Sequence, residues 1–238
     1  MQVLTLIKRT WVMKNLICAW IFLFLLLNSF LSAQTGVRFG LKAGYSMATQ
    51  YGITVPDIPY TVDTRFRHGM AGGLLVYFPI TESFGVQQEL LYVMKGSRQD
   101  IAMEVPPFNS HTDYHLNYLE IPFIFRYEFF KSGNFKIFGS SGFALSILLN
   151  GKSELNGFIE MGGARIPISA STKLEGVDTF DYGFLYGAGL EFNLFNKKCF
   201  FEYRFNIGWN TLNMPTSTGD DPAPLRNQGY TFSLGIYL

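Results

Sequence analysis

The chain has 238 residues and a formal net charge of +1, with 48% apolar, 17% aromatic and only 16% charged residues. A soluble domain carries about 25% charged residues, so this composition argues against a surface built only to face water. The near-neutral charge gives no support to a nucleic-acid partner.

Residues 1–33 read as a secretory signal peptide. Lys8, Arg9 and Lys14 precede an uninterrupted apolar run, Leu16 to Leu27, and Ala33 is a small residue at the expected cut. Met13 would serve equally as a start, since Lys14 alone supplies a basic n-region. The run is shorter than the roughly 20 residues of a membrane-spanning helix. Cleavage leaves residues 34–238 as one domain with 16 basic and 18 acidic residues. It also removes Cys18, so Cys199 stands alone and no disulfide within the chain is possible.

The mature chain alternates. In Val37–Met47, Val37, Phe39, Leu41, Ala43 and Tyr45 oppose Arg38, Gly40, Lys42, Gly44 and Ser46. A period of two means strand. Phe66–Phe78 is a second strand without interior charge, so its sidedness is not fixed. In the third, Phe84–Ser97, Phe84, Val86, Leu90, Tyr92 and Met94 oppose Gly85, Gln87, Glu89, Lys95 and Ser97, with Gln88 interrupting the apolar face. In the fourth, Leu119–Phe129, the apolar side opposes Glu120, Arg126 and Glu128, and Pro122 predicts a bulge because it lacks a ladder donor. Phe135–Leu149 is the fifth.

Two long alternating runs follow, joined at a polar Asn196-Lys197-Lys198 connection. In the first, Tyr182, Phe184, Tyr186, Ala188 and Leu190 oppose Asp181, Gly187, Gly189 and Glu191. In the second, Phe201, Tyr203, Phe205 and Ile207 oppose Glu202, Arg204 and Asn206. This is an antiparallel hairpin. Gly229–Leu238 is the eighth strand. Short connections near 79–83, 130–134 and 195–198 alternate with long ones near 49–67, 98–114, 150–180 and 212–228; the longest has room for a hairpin through Ile159–Ala170. Such alternation fits an all-β, eight-stranded, antiparallel up-and-down transmembrane β-barrel with its short turns in the periplasm.

Alternation does not say which face is outside. An eight-stranded barrel has an interior barely wide enough for its own side chains, and the apolar series is too bulky to fit there. That series also lacks charge, as lipid contact requires. The lumen is therefore expected to hold Arg38, Lys42, Glu89, Lys95, Glu120, Arg126, Glu128, Asp181, Glu191, Glu202 and Arg204. Both signs are present, so each charge has a candidate partner. A salt-bridged plug is the plainest reading. A narrow ion or proton pathway, or a catalytic carboxylate pair, is the sharper one.

The segments starting at Phe39 (Phe-Gly-Leu-Lys-Ala-Gly-Tyr-Ser), Gln87 (Gln-Gln-Glu-Leu-Leu-Tyr-Val-Met-Lys-Gly), Asn117 (Asn-Tyr-Leu-Glu-Ile-Pro), Phe184 (Phe-Leu-Tyr-Gly-Ala-Gly-Leu-Glu-Phe) and Glu202 (Glu-Tyr-Arg-Phe-Asn-Ile-Gly) carry a family resemblance. Through them the chain resembles the PorT-family outer-membrane β-barrel proteins over nearly its whole mature length. The resemblance implies an eight-stranded barrel in a Gram-negative outer membrane and brings no catalytic residues. It also implies a second possible role, as a component of a secretion system linked to gliding. The chain departs from common barrel practice by ending in Leu238 rather than an aromatic residue.

The expected function is a non-enzymatic structural or interaction barrel with long outward loops. Its expected partners are outer-membrane lipid and, through the loops, other outer-membrane or secretion-system proteins. No cofactor or metal is expected: His68, His111 and His115 fall in or beside long loops without metal-ligand spacing. A lipid A-modifying enzyme is the alternative, and it needs a serine hydroxyl within reach of one of these histidines. Trp209, Tyr92 and Tyr114 are expected in the interfacial girdle.

Overall fold

The computed structural model describes residues 36–51, 60–103, 108–161, 163–174, 176–214 and 223–238. The expected signal peptide, 1–33, lies outside the described residues. The fold is built on strands β1 (Arg38–Tyr51), β2 (Tyr60–Pro79), β3 (Phe84–Met103), β4 (Phe108–Ser132) and β5 (Phe135–Met161). The second half adds β6 (Ala164–Lys173), β7 (Phe180–Leu194), β8 (Lys197–Gly208), β9 (Leu212–Met214) and β10 (Ala223–Tyr237).

Eight of these close a ring in the order β1-β2-β3-β4-β5-β7-β8-β10, because β10 pairs back onto β1. Every pairing is antiparallel. Closure satisfies each ring strand on both sides, which a backbone in lipid requires. The two remaining strands are short additions, β6 beside β5 and β9 beside β10.

The apolar series faces outward. Met70 is 70% exposed and Leu234 62%, while Lys42, Glu89, Glu202 and Arg204 are buried. Phe123 belongs to the outward series but is covered, its ring stacked on Phe143 and edge-on to Phe125. Sidedness of β2, open in the sequence, is now fixed: Met70 and Leu74 face out, and Ala71, Leu75 and Tyr77 face in. Cys199 is free and partly buried on β8.

Three features differ from the sequence reading. First, Pro122 makes no bulge. The β3–β4 register runs unchanged from Gln88↔Phe123 to Leu91↔Glu120, and the Gln88 side chain donates its amide to the Pro122 carbonyl at 2.8 Å. That bond explains a polar residue on the lipid face. The irregularities fall instead at Phe66/Ala71, Asn117/Tyr118 and Glu128/Phe130. Second, the β7–β8 turn is just Phe195-Asn196, both with positive φ, and Lys197 and Lys198 already belong to β8. A two-residue hairpin turn of the primed kind needs such φ values.

Third, much of the expected loop sequence is strand. β4 has 25 residues and β5 has 27, whereas crossing a bilayer takes about 9–11. The excess lies away from the short turns. There the outer parts of β2, β3, β4 and β5 continue with β6 as one sheet beyond the membrane. β5 and β6 form the hairpin expected through Ile159–Ala170, with broader limits.

Candidate functional site

The candidate site is the lumen. Period two sends every second residue inward, and closure brings together side chains from strands that are not neighbours. Ten of the eleven charged residues expected there are buried, and Arg38 is part-buried against Glu191; they fall in three tiers.

The tier nearest the short turns combines charge with aromatic rings. Glu191 on β7 accepts from Arg126 on β4 at 2.5 Å and from Arg38 on β1 at 3.0 Å. Arg126 also donates to the Tyr237 hydroxyl at 2.7 Å, and its guanidinium lies 3.6 Å from the centre of the Phe138 ring. Arg38 sits over Tyr77 and Tyr237. Glu128 pairs with Lys136 at 2.9 Å. Guanidinium stacking on rings is favourable when desolvated, and Leu75, Tyr77, Phe138, Phe200 and Tyr237 form one buried cluster. Glycines make room for it. A Cβ on Gly189 would come within 2.3 Å of the Phe138 ring, and one on Gly235 within 2.1 Å of Phe200.

The middle tier is a four-residue charge cluster across the barrel. Arg204 on β8 grips Glu89 on β3 with two bonds, 2.8 and 3.0 Å, and reaches Glu202 at 2.7 Å. Lys42 on β1 contacts Glu202 at 2.6 Å and Glu89 at 3.2 Å. Two cations meet two carboxylates; Gln87 adds a third donor to Glu89 Oε1, and Ser140 donates to Glu202 Oε1, the oxygen the cations leave free. Buried charges are tolerable when paired and hydrogen-bonded in this way.

In the upper tier, Lys95 pairs with Glu120 at 2.6 Å and donates to Ser146 at 3.2 Å. Asp181 accepts from Asn227 at 2.8 Å. Over it lies an apolar cap of Leu116, Tyr118, Leu212 and Leu225, with Tyr114 packed against it. Tyr114 therefore belongs to the inner face rather than to the interfacial girdle. Trp209 is 61% exposed and packs on Phe184, as a girdle residue would.

The histidines lie on strands, not loops. His68 stacks on Tyr45 with Nδ1 against its hydroxyl. His115 faces Glu154 at 3.8 Å. Burial pushes its imidazole pKa down, and Arg67 adds to the effect. Among the described residues no serine hydroxyl is bonded to His68 or His115, and no group of three acidic, cysteine or histidine residues is placed to hold a metal. On the outer face of the projecting sheet, Asp113 takes two 2.7 Å bonds from Arg98, which hold its carboxyl below the usual range.

Residues 32–212 match the family model for the outer membrane protein beta-barrel domain. The chain belongs to that family. This outer-membrane barrel also resembles solved barrels at the level of fold. Neisserial surface protein A is 13% identical, with a TM-score of 0.42 over 86% of this chain and 100% of that one. OprG from Pseudomonas aeruginosa is 9% identical, with a TM-score of 0.48 over 86% and 97%. Ail, the attachment invasion locus protein of Yersinia pestis, is 13% identical, with a TM-score of 0.34 over 86% and 100%. A search of the curated proteins finds no match. Family membership places the protein in the outer membrane, with its apolar series against lipid.

The partners of the charges were not legible in the sequence, and neither was the aromatic floor. Phe138 and Phe200 look like ordinary apolar strand residues until parity is counted from Lys136 and Glu202; Tyr237 shares the parity of Thr231 and Ser233, and the second strand has no interior charge from which to place Tyr77. Asn227 sat in a stretch read as loop.

Proposed function

We propose that this barrel is a non-enzymatic structural and interaction protein. Its wall anchors a sheet that projects outside the cell, and its lumen is closed. The observation that carries this reading is the middle tier: Lys42, Glu89, Glu202 and Arg204 join β1, β3 and β8 across the barrel with no charge left single. A solute would have to break these bonds to pass, and each removal of one partner leaves a buried charge uncompensated. The outer-membrane lipid around the apolar series is one partner. The projecting β2–β6 sheet is the surface for other outer-membrane or secretion-system proteins.

The test is conductance of the purified barrel in planar bilayers. The proposal expects no steps above the lipid leak; reproducible channel openings would overturn it. Lipid A from overexpressing cells should give an unchanged mass spectrum. A PorT-like part in protein secretion is the reading that the Asn-Tyr-Leu-Glu-Ile-Pro segment at 117–122 suggests. It predicts that a deletion strain retains exported cargo in the periplasm, and normal secretion would exclude it.

A further inference from the structure

The three tiers differ in charge balance. The lower tier sets Arg38, Arg126 and Lys136 against Glu128 and Glu191. The middle tier is balanced. The upper tier sets Lys95 alone against Glu120 and Asp181, and Lys95 is already bonded to Glu120 and Ser146. Ser146 also donates to Glu120, at 3.2 Å. Asp181 is 2% exposed and has no ion pair of its own. Its Oδ2 takes the Asn227 amide, and its Oδ1 has no hydrogen-bond partner. On β8, the Oδ1 of Asn206 is buried without a partner too.

Both orphan atoms are acceptors, and both residues line one cavity of about 30 Å³ that Lys95, Glu120 and Ser146 also line. A single water needs roughly 10–15 Å³ measured this way, so the space suits one small ion with a water. Gly183 and Gly208, paired across β7 and β8, form part of its wall. A Cβ on Gly208 would lie 3.3 Å from Asp181 Oδ1. The glycine thus keeps the carboxylate's free side open.

We propose that this cavity binds a monovalent alkali cation, held by the free oxygens of Asp181 and Asn206. The charge argues for one positive charge, since the tier carries one carboxylate more than its cations. The donor set argues against a divalent ion. Calcium takes six to eight oxygens, typically from several carboxylates, and among the described residues no group of three acidic side chains is so placed. Neutral amide and carboxylate oxygens with a water form a small, hard site. A cation there would neutralise the surplus carboxylate beneath the apolar cap of Leu116, Tyr118, Leu212 and Leu225.

The test uses the folded, detergent-solubilised mature barrel in NaCl, KCl or N-methylglucamine chloride at equal ionic strength. Either alkali salt should raise the thermal midpoint saturably over N-methylglucamine, by about 2–4 °C. Asp181→Asn keeps the shape and removes the charge, and should abolish the difference. Asn206→Ala should weaken it, and serves as the second variant where Asp181→Asn does not fold. Thallium-soaked crystals should show an anomalous peak beside Asp181 Oδ1. Equal midpoints in the three salts, an Asp181→Asn response like that of the parent, or no thallium peak would each overturn the proposal. Water alone, or a proton on Asp181, would then fill the role.

Discussion

Arg204→Met tests the middle tier directly. The arginine is 2% exposed and makes three contacts of 2.7–3.0 Å to Glu89 and Glu202. Methionine fills a similar volume but leaves two buried carboxylates with Lys42 as their only cation in the tier. Removing one partner of a buried ion pair costs about 3–5 kcal/mol, or roughly two to nearly four powers of ten in the folding equilibrium. The pair Arg98–Asp113 supplies the control. Its two bonds are both 2.7 Å, as short as those in the lumen, but the arginine side chain is 48% exposed. Exposed pairs contribute about 0–1 kcal/mol, so Asp113→Asn should change global stability little. Adding Glu89→Gln to Arg204→Met restores balance, leaving Lys42 against Glu202, and should recover more than half of the loss. Trp209 is the one tryptophan of residues 34–238 and lies on the lipid face. Its fluorescence during urea unfolding in vesicles, with heat-modifiable gel mobility, measures all three variants. The reasoning fails if Arg204→Met loses less than about 1 kcal/mol, or if the double variant is weaker than the single.

Other variants probe the wall, the floor and the projecting sheet. Leu234→Arg puts a charge on the lipid face and should destabilise the barrel by about 2–4 kcal/mol in the same urea assay. Gly235→Ala forces a methyl into the Phe200 ring, whose nearest atom would be 2.1 Å away, and should cost about 1–3 kcal/mol. In the projecting sheet, Asp113 and Glu154 are held below the usual carboxylate range by Arg98 and Lys152, and His115 is held below the usual imidazole range by burial. All three bind fewer protons folded than unfolded at intermediate pH, so their contribution is present at neutral pH and lost on acidification. The loss begins as pH drops through the usual imidazole range and continues through the carboxylates. Limited proteolysis at pH 7.5, 5.5 and 3.5 should show rising cleavage in 98–115 and 150–173, with the membrane-embedded part intact; equal cleavage at all three pH values would refute the assignment.

The sequence by itself determined the faces. Alternation in 181–194 and 199–210 placed Glu191, Glu202 and Arg204 on one side and Phe201, Tyr203 and Phe205 on the other. A limit on interior volume then turned the bulky side outward. Pattern reading stopped where the chain left lipid. In 98–103, 108–113 and 152–161 both faces meet water or polar neighbours, the apolar alternation fades, and strand reads as loop.

Only the tertiary structure decided which charges meet. Parity assigns a face but no depth, and partners such as Lys42 and Glu202 are 160 residues apart in sequence. Closure of β10 on β1, together with the shifts at Phe66/Ala71, Asn117/Tyr118 and Glu128/Phe130, sets the height of every inward side chain. Those heights sort the lumen into an aromatic lower tier, a neutral middle and an upper tier with a surplus carboxylate. The physical reason is that pairing energy depends on separations of a few ångströms, and strand period fixes none of them between chains of residues that meet only when the ring closes.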